Sequence, residues 1–402
     1  MSRPAIARTS LLYIIMLGLI SALPPLGIDI GLPALTILQK DLGVGPGEGT
    51  MTLTMFLAGF TVGPLVSGPL SDHFGRKPIL VLGISVYTLG ALGCWLSKDI
   101  TQLLTLRTLQ GLGAGAAAGL PAAIVRDSFV GADALRRQSY MGLVVGIAPL
   151  VAPTLGSTIL TFGDWRTIYF ILTIIGVGVL ALMLVGYEET APLADAKDTS
   201  SLLGKAFHIY RQVLTNRTYL VNTGLLGASF GTMFSYISRS SDVFMNHLGA
   251  SSGFYGLLFA ITACGTMAGS VFNGRFGWHI GPMKMLRAAI YGQVVIATLL
   301  LVAGSLSVHS IALYATLVTL TNFCCGVVMP TTTQLALATL GRAAGSAAAL
   351  MRSVQMAMGA LAGALAGMVG RDNPMLAMGG AMCFFAVLGA LLLTQERKSA
   401  RH

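Results

Sequence analysis

The sequence predicts an all-α membrane protein with twelve transmembrane helices in two pseudo-symmetric six-helix bundles. Charged residues make up only 10% of the 402 residues and hydrophobic residues 54%, whereas soluble domains carry about 25% charged residues. Uncharged stretches long enough to cross a bilayer recur along the chain, and an internal glycine repeat divides it into two halves. So few charges exclude both a soluble domain and a disordered chain.

Each helix is predicted from an uncharged stretch near the twenty residues that cross the hydrocarbon core. The long stretch 288–341 holds two helices, separated by the polar break Gly304–Ser310. The predicted helices are 11–38, 50–71, 78–97, 100–124, 136–160, 166–187, 218–244, 252–274, 284–304, 309–332, 343–368 and 374–394. The charges that fall well inside a span are Asp29, Arg107, Arg239 and Arg352, with Asp242 near an end.

The loops are asymmetric in charge. With the N-terminus in the cytoplasm, the inner loops and tails hold 18 Lys and Arg residues and the outer loops hold 4. Cytoplasmic loops carry such an excess, so we expect both termini to be cytoplasmic. This excess also accounts for the net charge of +10 without a nucleic-acid partner.

The long polar stretch near the middle of the chain is the predicted boundary between two domains. We expect an N-terminal six-helix bundle over 1–187, a cytoplasmic linker over 188–217 and a C-terminal six-helix bundle over 218–402. The part Thr199–Arg217 is a candidate amphipathic surface helix.

The two halves match under a shift of 206 residues. Six of the nine glycines between positions 43 and 83 fall on glycines in the second half: Gly43, Gly47, Gly59, Gly63, Gly68 and Gly75 correspond to Gly249, Gly253, Gly265, Gly269, Gly274 and Gly281. Since six helices per half is an even number, both copies have the same orientation. Parallel repeats of this kind occur in transporters that rock around a central site.

Asp29 is the one carboxylate deep within a predicted span. A charge at the bilayer centre costs at least about 2.5–3.5 kcal/mol, and such residues usually face the interior and act in proton relays or binding. Ser21, Pro25 and Asp29 recur every four residues, which places them on one helix face. The alternatives are an Asp at headgroup level at a helix end, or a cleaved signal peptide that ends near Ala22.

Arg107 is the predicted partner of Asp29, because both fall in the outer half of the membrane when depth is counted at 1.5 Å per residue. Gly111, Gly115 and Gly119 follow it at four-residue steps and form a face that lets another helix approach closely. The alternative is an arginine that extends to the membrane surface, which is also the expectation for Arg352.

The segment Gly68-Pro69-Leu70-Ser71-Asp72-His73-Phe74-Gly75-Arg76-Lys77-Pro78 joins the second and third helices on the inner side. It resembles the loop signature G-x-x-x-D-x-x-G-R-[KR] of the major facilitator superfamily. Asp29 with its neighbours, Leu106–Gly111 and Arg126-Asp127 resemble the first and fourth helices of that superfamily's proton-coupled drug antiporters. The fifth helix resembles their antiporter motif through Gly142, Gly146, Pro149, Pro153 and Gly156. The whole set is similar to the Bcr/CflA drug-resistance group.

The resemblance implies that Asp29 and Arg107 carry proton coupling. It also implies that the gating loop, with Asp72 engaging Arg126 and the start of helix eleven, locks the outward-open state. Two features depart from the pattern. Trp278 stands where Asp72 would map in the second half, and Arg239 lies in helix seven, where relatives have a small residue. Arg239 either faces the cavity and favours acidic substrates or pairs with Asp242.

Four further polar residues within helices are candidate substrate ligands: Tyr236, Asn222, Asn322 and Gln355. Each is equally well explained as an interhelical hydrogen bond. The five cysteines have no metal-ligand spacing, and we expect no cofactor and no metal.

The leading functional hypothesis is a proton-coupled exporter of small amphipathic compounds or drugs, and the alternative is a proton-coupled importer of a small organic solute. The sequence contains no HExxH and no Walker motif, so an enzyme and a direct ATP-driven pump are disfavoured. The repeat and the even helix number disfavour a receptor or channel. The expected partners are the substrate, protons and the lipid bilayer, and we expect a monomer in the inner membrane.

Overall fold

The computed structural model describes residue 6 and residues 10–189, 210–211, 213–338, 340, 344–368 and 373–399. These residues contain helices and no β-strand, and the predicted all-α membrane fold is confirmed. Most of the predicted linker and of its candidate surface helix lies outside the described residues.

The described residues contain fourteen α-helices. They are α1 (Leu11–Asp29), α2 (Leu35–Asp41), α3 (Pro46–Phe74), α4 (Arg76–Leu96), α5 (Ile100–Ala118), α6 (Leu120–Ser128), α7 (Gly131–Ile159), α8 (Trp165–Gly186), α9 (Arg217–Ser241), α10 (Ser252–Ile280), α11 (Pro282–Ser305), α12 (Ile311–Leu337), α13 (Ala344–Met368) and α14 (Pro374–Ser399). Two pairs, α1 with α2 and α5 with α6, form one long segment each, so the fourteen helices make twelve segments. A 3₁₀ turn at Leu32–Ala34 links α1 to α2, and a π-helical turn at Asp242–His247 follows α9.

All twelve predicted helices correspond to these segments, and no end differs by more than six residues. The larger differences arise where a helix continues past the apolar stretch, as α10 does to Ile280 and α14 to Ser399. Hydropathy marks the hydrocarbon core, whereas backbone hydrogen bonds continue through polar turns beyond it.

Helix α9 is more polar than the others. Eleven segments of the described chain are long and apolar enough to cross a membrane, and α9 is not among them. Its 25 residues span about 37 Å at 1.5 Å per residue, and 19 of them are buried. Because neighbouring helices cover it, α9 does not need an apolar surface to cross the bilayer.

The repeat is visible in the backbone. Gly43 and Gly249 have φ angles of 64° and 72°, and Gly75 and Gly281 have φ angles of 93° and 97°. Both pairs are separated by 206 residues. Positive φ is a conformation that glycine adopts without steric cost. The glycines that correspond under the 206-residue shift therefore form the same turns in both halves.

Helix packing repeats as well. A Cβ at Gly59 of α3 would overlap the Thr108 carbonyl oxygen of α5, and a Cβ at Gly265 of α10 would approach the Thr319 carbonyl oxygen of α12. The predicted close approach at Gly111 is confirmed, since a Cβ there would overlap the Phe56 carbonyl oxygen of α3. Gly115 also lies close to α3, since a Cβ there would lie 2.5 Å from the Phe60 carbonyl oxygen, whereas a Cβ at Gly119 would meet no atom within 4 Å.

The two halves meet at the end of the bundle that carries the loop between α2 and α3, here named the far end. A Cβ at Gly47 of α3 would lie 2.6 Å from the Gly367 carbonyl oxygen of α13. Ser157 Oγ of α7 donates to the Ser252 carbonyl oxygen at 2.9 Å. The opposite end, named the basic end, carries the turn at Gly75.

The basic end is less tightly closed. Gly68 of α3 and Gly142 and Gly146 of α7 have no neighbour within 4 Å. The side chains of Asp72 and Arg126 are both 64% exposed. The structure is therefore closed between the halves at the far end and more open at the basic end.

Candidate functional site

Asp29 is the last residue of α1, yet it lies inside the protein. Its side chain is 5% exposed, and the helical segment continues for twelve residues to Asp41. The chain turns at Leu32–Ala34, where Pro33 lacks the N–H that an unbroken helix needs. The helical segment therefore does not end at Asp29, as the alternative of a carboxylate at headgroup level at a helix end requires. Asp29 occupies a helix break within the membrane-spanning segment.

Arg107 is fully enclosed beside this break. It is 1% exposed, so the alternative of an arginine extending to the surface is wrong. Its Nη1 donates to the Gly27 carbonyl oxygen at 3.0 Å and to Gln110 Oε1 at 2.7 Å, and its Nε donates to the Thr52 carbonyl oxygen at 3.3 Å. The guanidinium also lies 4.6 Å from the centre of the Phe56 ring.

Arg107 forms no ion pair with Asp29 among the described residues, so the predicted direct pair is absent from this structure. The last four carbonyls of a helix lack partners in the helix, and Gly27 supplies one of them to Arg107. A Cβ at Gly27 would contact Phe56 and Tyr87. Residues two apart point about 200° apart around a helix, so Asp29 points away from Arg107.

Asp29 instead faces the C-terminal half. Its carboxylate lies close enough to Tyr236 and Tyr255 to interact electrostatically with both phenols. It has no hydrogen bond and no ion pair with any described residue. The site therefore contains a buried carboxylate without a counter-charge, at the interface between the halves.

Two of the predicted polar residues come together at Thr262. The Tyr236 hydroxyl lies 2.9 Å from Thr262 Oγ1, and Asn322 Nδ2 donates to the Thr262 carbonyl oxygen at 3.1 Å. The other two lie elsewhere. Asn222 donates to the Thr218 carbonyl oxygen of its own helix, and Gln355 accepts from Arg352.

The glycine and proline residues of α7 meet the helix break. A Cβ at Gly156 would overlap the Ile30 carbonyl oxygen, directly after Asp29. Pro149 and Pro153 lie inside α7, where they remove backbone hydrogen bonds. Helix α7 thus packs against the break in its far half, whereas Gly146 has open space on the basic side.

Arg239, for which two roles were open, pairs with Asp242. The Nη1–Oδ2 distance is 3.2 Å. Nε donates to the Ala366 carbonyl oxygen at 2.7 Å and Nη2 to the Gly367 carbonyl oxygen at 3.4 Å. Arg239 is 0% exposed. It holds the end of α13 at the far-end contact, and of the two roles left open the structure has the pair with Asp242.

The gating loop contains a chain of ion pairs. Asp72 Oδ1 lies 2.7 Å from Arg76 Nη1, and Arg76 Nε lies 3.2 Å from Asp127 Oδ2. Arg126 contacts the carboxylate of Asp127 at 3.9 Å, and the expected contact with Asp72 is absent among the described ion pairs. The Arg126 guanidinium instead lies beside Gly345, at the start of α13.

Glu189 completes this loop, and the sequence analysis did not identify it. Its Oε1 accepts from the Arg76 backbone N–H at 3.0 Å and its Oε2 from the Lys77 N–H at 2.8 Å. These N–H groups open α4 and attract an anion. Lys77 Nζ donates to the Tyr187 carbonyl oxygen at 2.7 Å. An acidic residue just after the sixth helix was the available signal.

The chain is similar to known proteins over most of its length. The family model described as Major Facilitator Superfamily matches residues 17–363. The chain is 33% identical to the uncharacterized MFS-type transporter YdgK of Bacillus subtilis over 95% of both chains. It is 29% identical to the bicyclomycin resistance protein homolog of Haemophilus influenzae over 98% of this chain and 99% of that one.

It is also 30% identical to the multidrug resistance protein MdtL of Shigella dysenteriae over 75% of this chain and 74% of that one. Among solved structures, a bacterial homolog of the human lysosomal transporter Spinster, inward-facing and occupied, matches with a TM-score of 0.72. That match has 14% identity and covers 97% of this chain and 96% of the other, which is a likeness of fold.

Proposed function

The chain belongs to the Major Facilitator Superfamily, and from this premise we propose that it exports small amphipathic compounds or drugs across the inner membrane in exchange for protons. It is a multi-pass membrane transporter. The finer proposal concerns the direction of transport, the coupling ion and the class of substrate.

The proposal rests on one observation, that the Asp29 carboxylate is buried without a hydrogen bond or an ion pair to any described residue. A charged carboxylate buried without a donor or a cation is costly, and binding a proton removes that charge. Asp29 lies where the two halves meet, so movement of one half against the other changes its surroundings. A group whose surroundings change in this way binds a proton in one state and releases it in the other.

Arg107 supports this role without contacting the carboxylate. Its hydrogen bond to the carbonyl oxygen of Gly27, two residues before Asp29, holds the end of α1. We therefore assign the proton to Asp29 and assign Arg107 to positioning the break.

Alternating access requires that the two ends of the bundle close in turn. The far end is closed here, and the basic end is more open. With the basic end in the cytoplasm, as its excess of Lys and Arg favours, this is a state that takes up compound from the cytoplasm. The chain of Asp72, Arg76 and Asp127 then belongs to a latch that closes the basic end in the other state.

Export is favoured over import by the relatives. Two of them are named for resistance to bicyclomycin and to multiple drugs, and resistance requires that a compound leave the cell. The glycine and proline residues of α7 resemble the antiporter motif, and one of them, Gly156, packs on the break after Asp29. The alternative is a symporter that imports a small organic solute.

Vesicles with an imposed pH gradient test the proposal. Inside-out vesicles with an acidic interior should accumulate labelled amphipathic compounds only when they contain the protein. A symporter instead requires accumulation by right-side-out vesicles in an acidic medium. Accumulation that does not respond to the gradient in either geometry would exclude proton coupling.

A further inference from the structure

Arg352 lies on the face of α13 that is directed at the N-terminal half. Seven residues rotate a helix by about 20° less than two full turns, so Gly345 and Gly359 share this face with it. A Cβ at Gly359 would meet both Leu57 of α3 and Phe230 of α9, and a Cβ at Gly345 would lie 3.4 Å from the guanidinium of Arg126. Arg352 lies midway between these two contacts.

The side chain of Arg352 is exposed, although it lies as deep in the protein as fully buried residues do. Exposed surface that protein surrounds belongs to a cavity. Arg352 therefore lines the space between the halves, in contrast to the position at the membrane surface predicted from the sequence.

Arg352 is also held differently from the other two arginines of the helices. Arg107 and Arg239 each donate hydrogen bonds to three acceptors. Among the described residues, Arg352 has a single acceptor, Gln355 Oε1, at 3.4 Å. None of the described ion pairs includes it. An arginine with one long hydrogen bond keeps most of its five N–H donors available.

The neighbouring amide offers a further donor. Because a guanidinium only donates, the Gln355 oxygen must be the atom that faces Arg352, which leaves the NH₂ group. Gln355 is 3% exposed, and its Nε2 has no hydrogen-bond partner in the described structure. Buried polar groups are normally hydrogen-bonded, so an unpaired amide next to an available guanidinium indicates a missing acceptor.

We propose that Arg352 and Gln355 form a subsite for the acidic group of the transported compound, a carboxylate, sulfonate or phosphate. The planar guanidinium matches the two oxygens of such a group, and the Gln355 amide adds a third donor. Arg126 lies beside Gly345, two turns of α13 from Arg352 toward the basic end, and adds positive charge there. The carboxylate of Asp72 is paired with Arg76. The proposal rests on the proposed function only in that the bound compound is transported.

Direct binding tests this subsite without transport. The probes are 1-naphthoate, 1-naphthamide and 1-naphthylmethylammonium, which share one fluorescent ring and differ in charge. Binding to the purified full chain is measured by equilibrium dialysis. The wild type should prefer naphthoate. Arg352→Gln should weaken naphthoate binding by about tenfold or more, as expected for a charge-assisted hydrogen bond, and should leave naphthamide binding within about twofold.

Three further variants separate this role from a structural one. Arg352→Lys keeps the charge and should restore part of the naphthoate preference. Gln355→Leu should weaken naphthoate binding less than Arg352→Gln does, because it removes a neutral donor. Arg126→Gln should lower naphthoate binding only at low salt, since exposed charges are screened. Thermal unfolding of each variant confirms folding.

A wild type that does not prefer naphthoate overturns the subsite, and so does an equal loss for all three probes in folded Arg352→Gln. These results are independent of proton coupling. If the pH gradient drives export of cations and Arg352→Gln does not change that export, the proposed function is supported and the subsite is rejected. If naphthoate is preferred and this preference depends on Arg352, but no transport follows the gradient, the subsite is supported and the proposed function is rejected.

Discussion

The guanidinium of Arg107 binds the carbonyl oxygen of Gly27 at 3.0 Å, two residues before the carboxylate that was expected to be its partner. This hydrogen bond caps the end of α1 from a neighbouring helix. It leaves Asp29 free of a counter-charge within the described structure. The cation that holds the break and the group proposed to carry the proton are therefore separate.

Arg107→Lys should impair stability and transport together. Lysine has no planar fork, so it cannot hold the Gly27 and Thr52 carbonyl oxygens and Gln110 at once. Each lost hydrogen bond to a charged group is worth about 1.5–3 kcal/mol. Thermal unfolding in detergent should show a lower midpoint, and vesicle transport should fall. A wild-type midpoint would contradict the anchoring role.

Asp29→Asn should abolish gradient-driven efflux while expression and compound binding remain. The amide keeps the size of the side chain but cannot take up and release a proton. The matched control is Asp41→Asn, which removes a carboxylate paired with Arg166 at the far end of the same segment and should leave coupling unchanged. Normal gradient-driven transport by Asp29→Asn would refute the assignment.

Asp72→Ala should shift the resting population by about tenfold or more toward the state described here. The proposed latch loses a charge-assisted hydrogen bond of Asp72, worth about 1.5–3 kcal/mol, when the basic end closes, whereas the exposed pair with Arg76 in the present state contributes little. Reporter cysteines at Ser157 and Ala348, in a background without native cysteines, measure closure of the far and basic ends. Labelling should fall at Ser157, at the far end, and rise at Ala348, which lies on α13 four residues before Arg352 toward the basic end.

The control for Asp72→Ala is Asp133→Ala, which breaks an exposed pair with Arg137 of the same spacing. It should leave both labelling rates unchanged. Unaltered labelling in Asp72→Ala would restrict the gating loop to folding and topology.

Gly75→Ala should destabilise the protein more than Gly281→Ala. Both positions have positive φ, and such a conformation costs a residue with a side chain about 1–3 kcal/mol. At Gly75 the new Cβ would also meet Glu189 Oε2, whereas Gly281 has open space. Gly68→Ala, at a helical position with open space, should be neutral. Equal midpoints for Gly75→Ala and Gly281→Ala would contradict the contribution of Glu189, and equal midpoints for Gly75→Ala and Gly68→Ala would contradict the backbone strain as well.

Arg239→Ser should lower stability and change the transport of cationic, neutral and anionic compounds in parallel. Its guanidinium is committed to Asp242 and to the end of α13, so its loss leaves a buried carboxylate unpaired, which is strongly destabilising. Transport rates for a matched set of cationic, neutral and anionic compounds distinguish a structural role of Arg239 from a role in the cavity. A selective gain for cations would place Arg239 in the cavity after all.

The sequence by itself determined the twelve helices, the repeat and the position of the deep carboxylate. These depend on local properties. Hydropathy over twenty residues defines a span, and a glycine at positive φ serves a turn wherever it occurs, as Gly75 and Gly281 do in the two halves. A lone Asp in an apolar stretch is visible without neighbours. Even α9, which is too polar to count as a span on its own, was found from its lack of interior charge before Arg239.

Only the tertiary structure decided where the long side chains go. Arg107, Arg239 and Arg352 look alike in the sequence, each a cation within a helix. Arg107 binds the end of a neighbouring helix, and Arg239 binds Asp242 and the end of α13. We infer that Arg352 lines the space between the halves. Their flexible stems reach several directions, so the choice depends on which acceptors other helices bring near. Glu189 joined the site for the same reason, because 113 residues separate it from the Arg76 N–H that it binds.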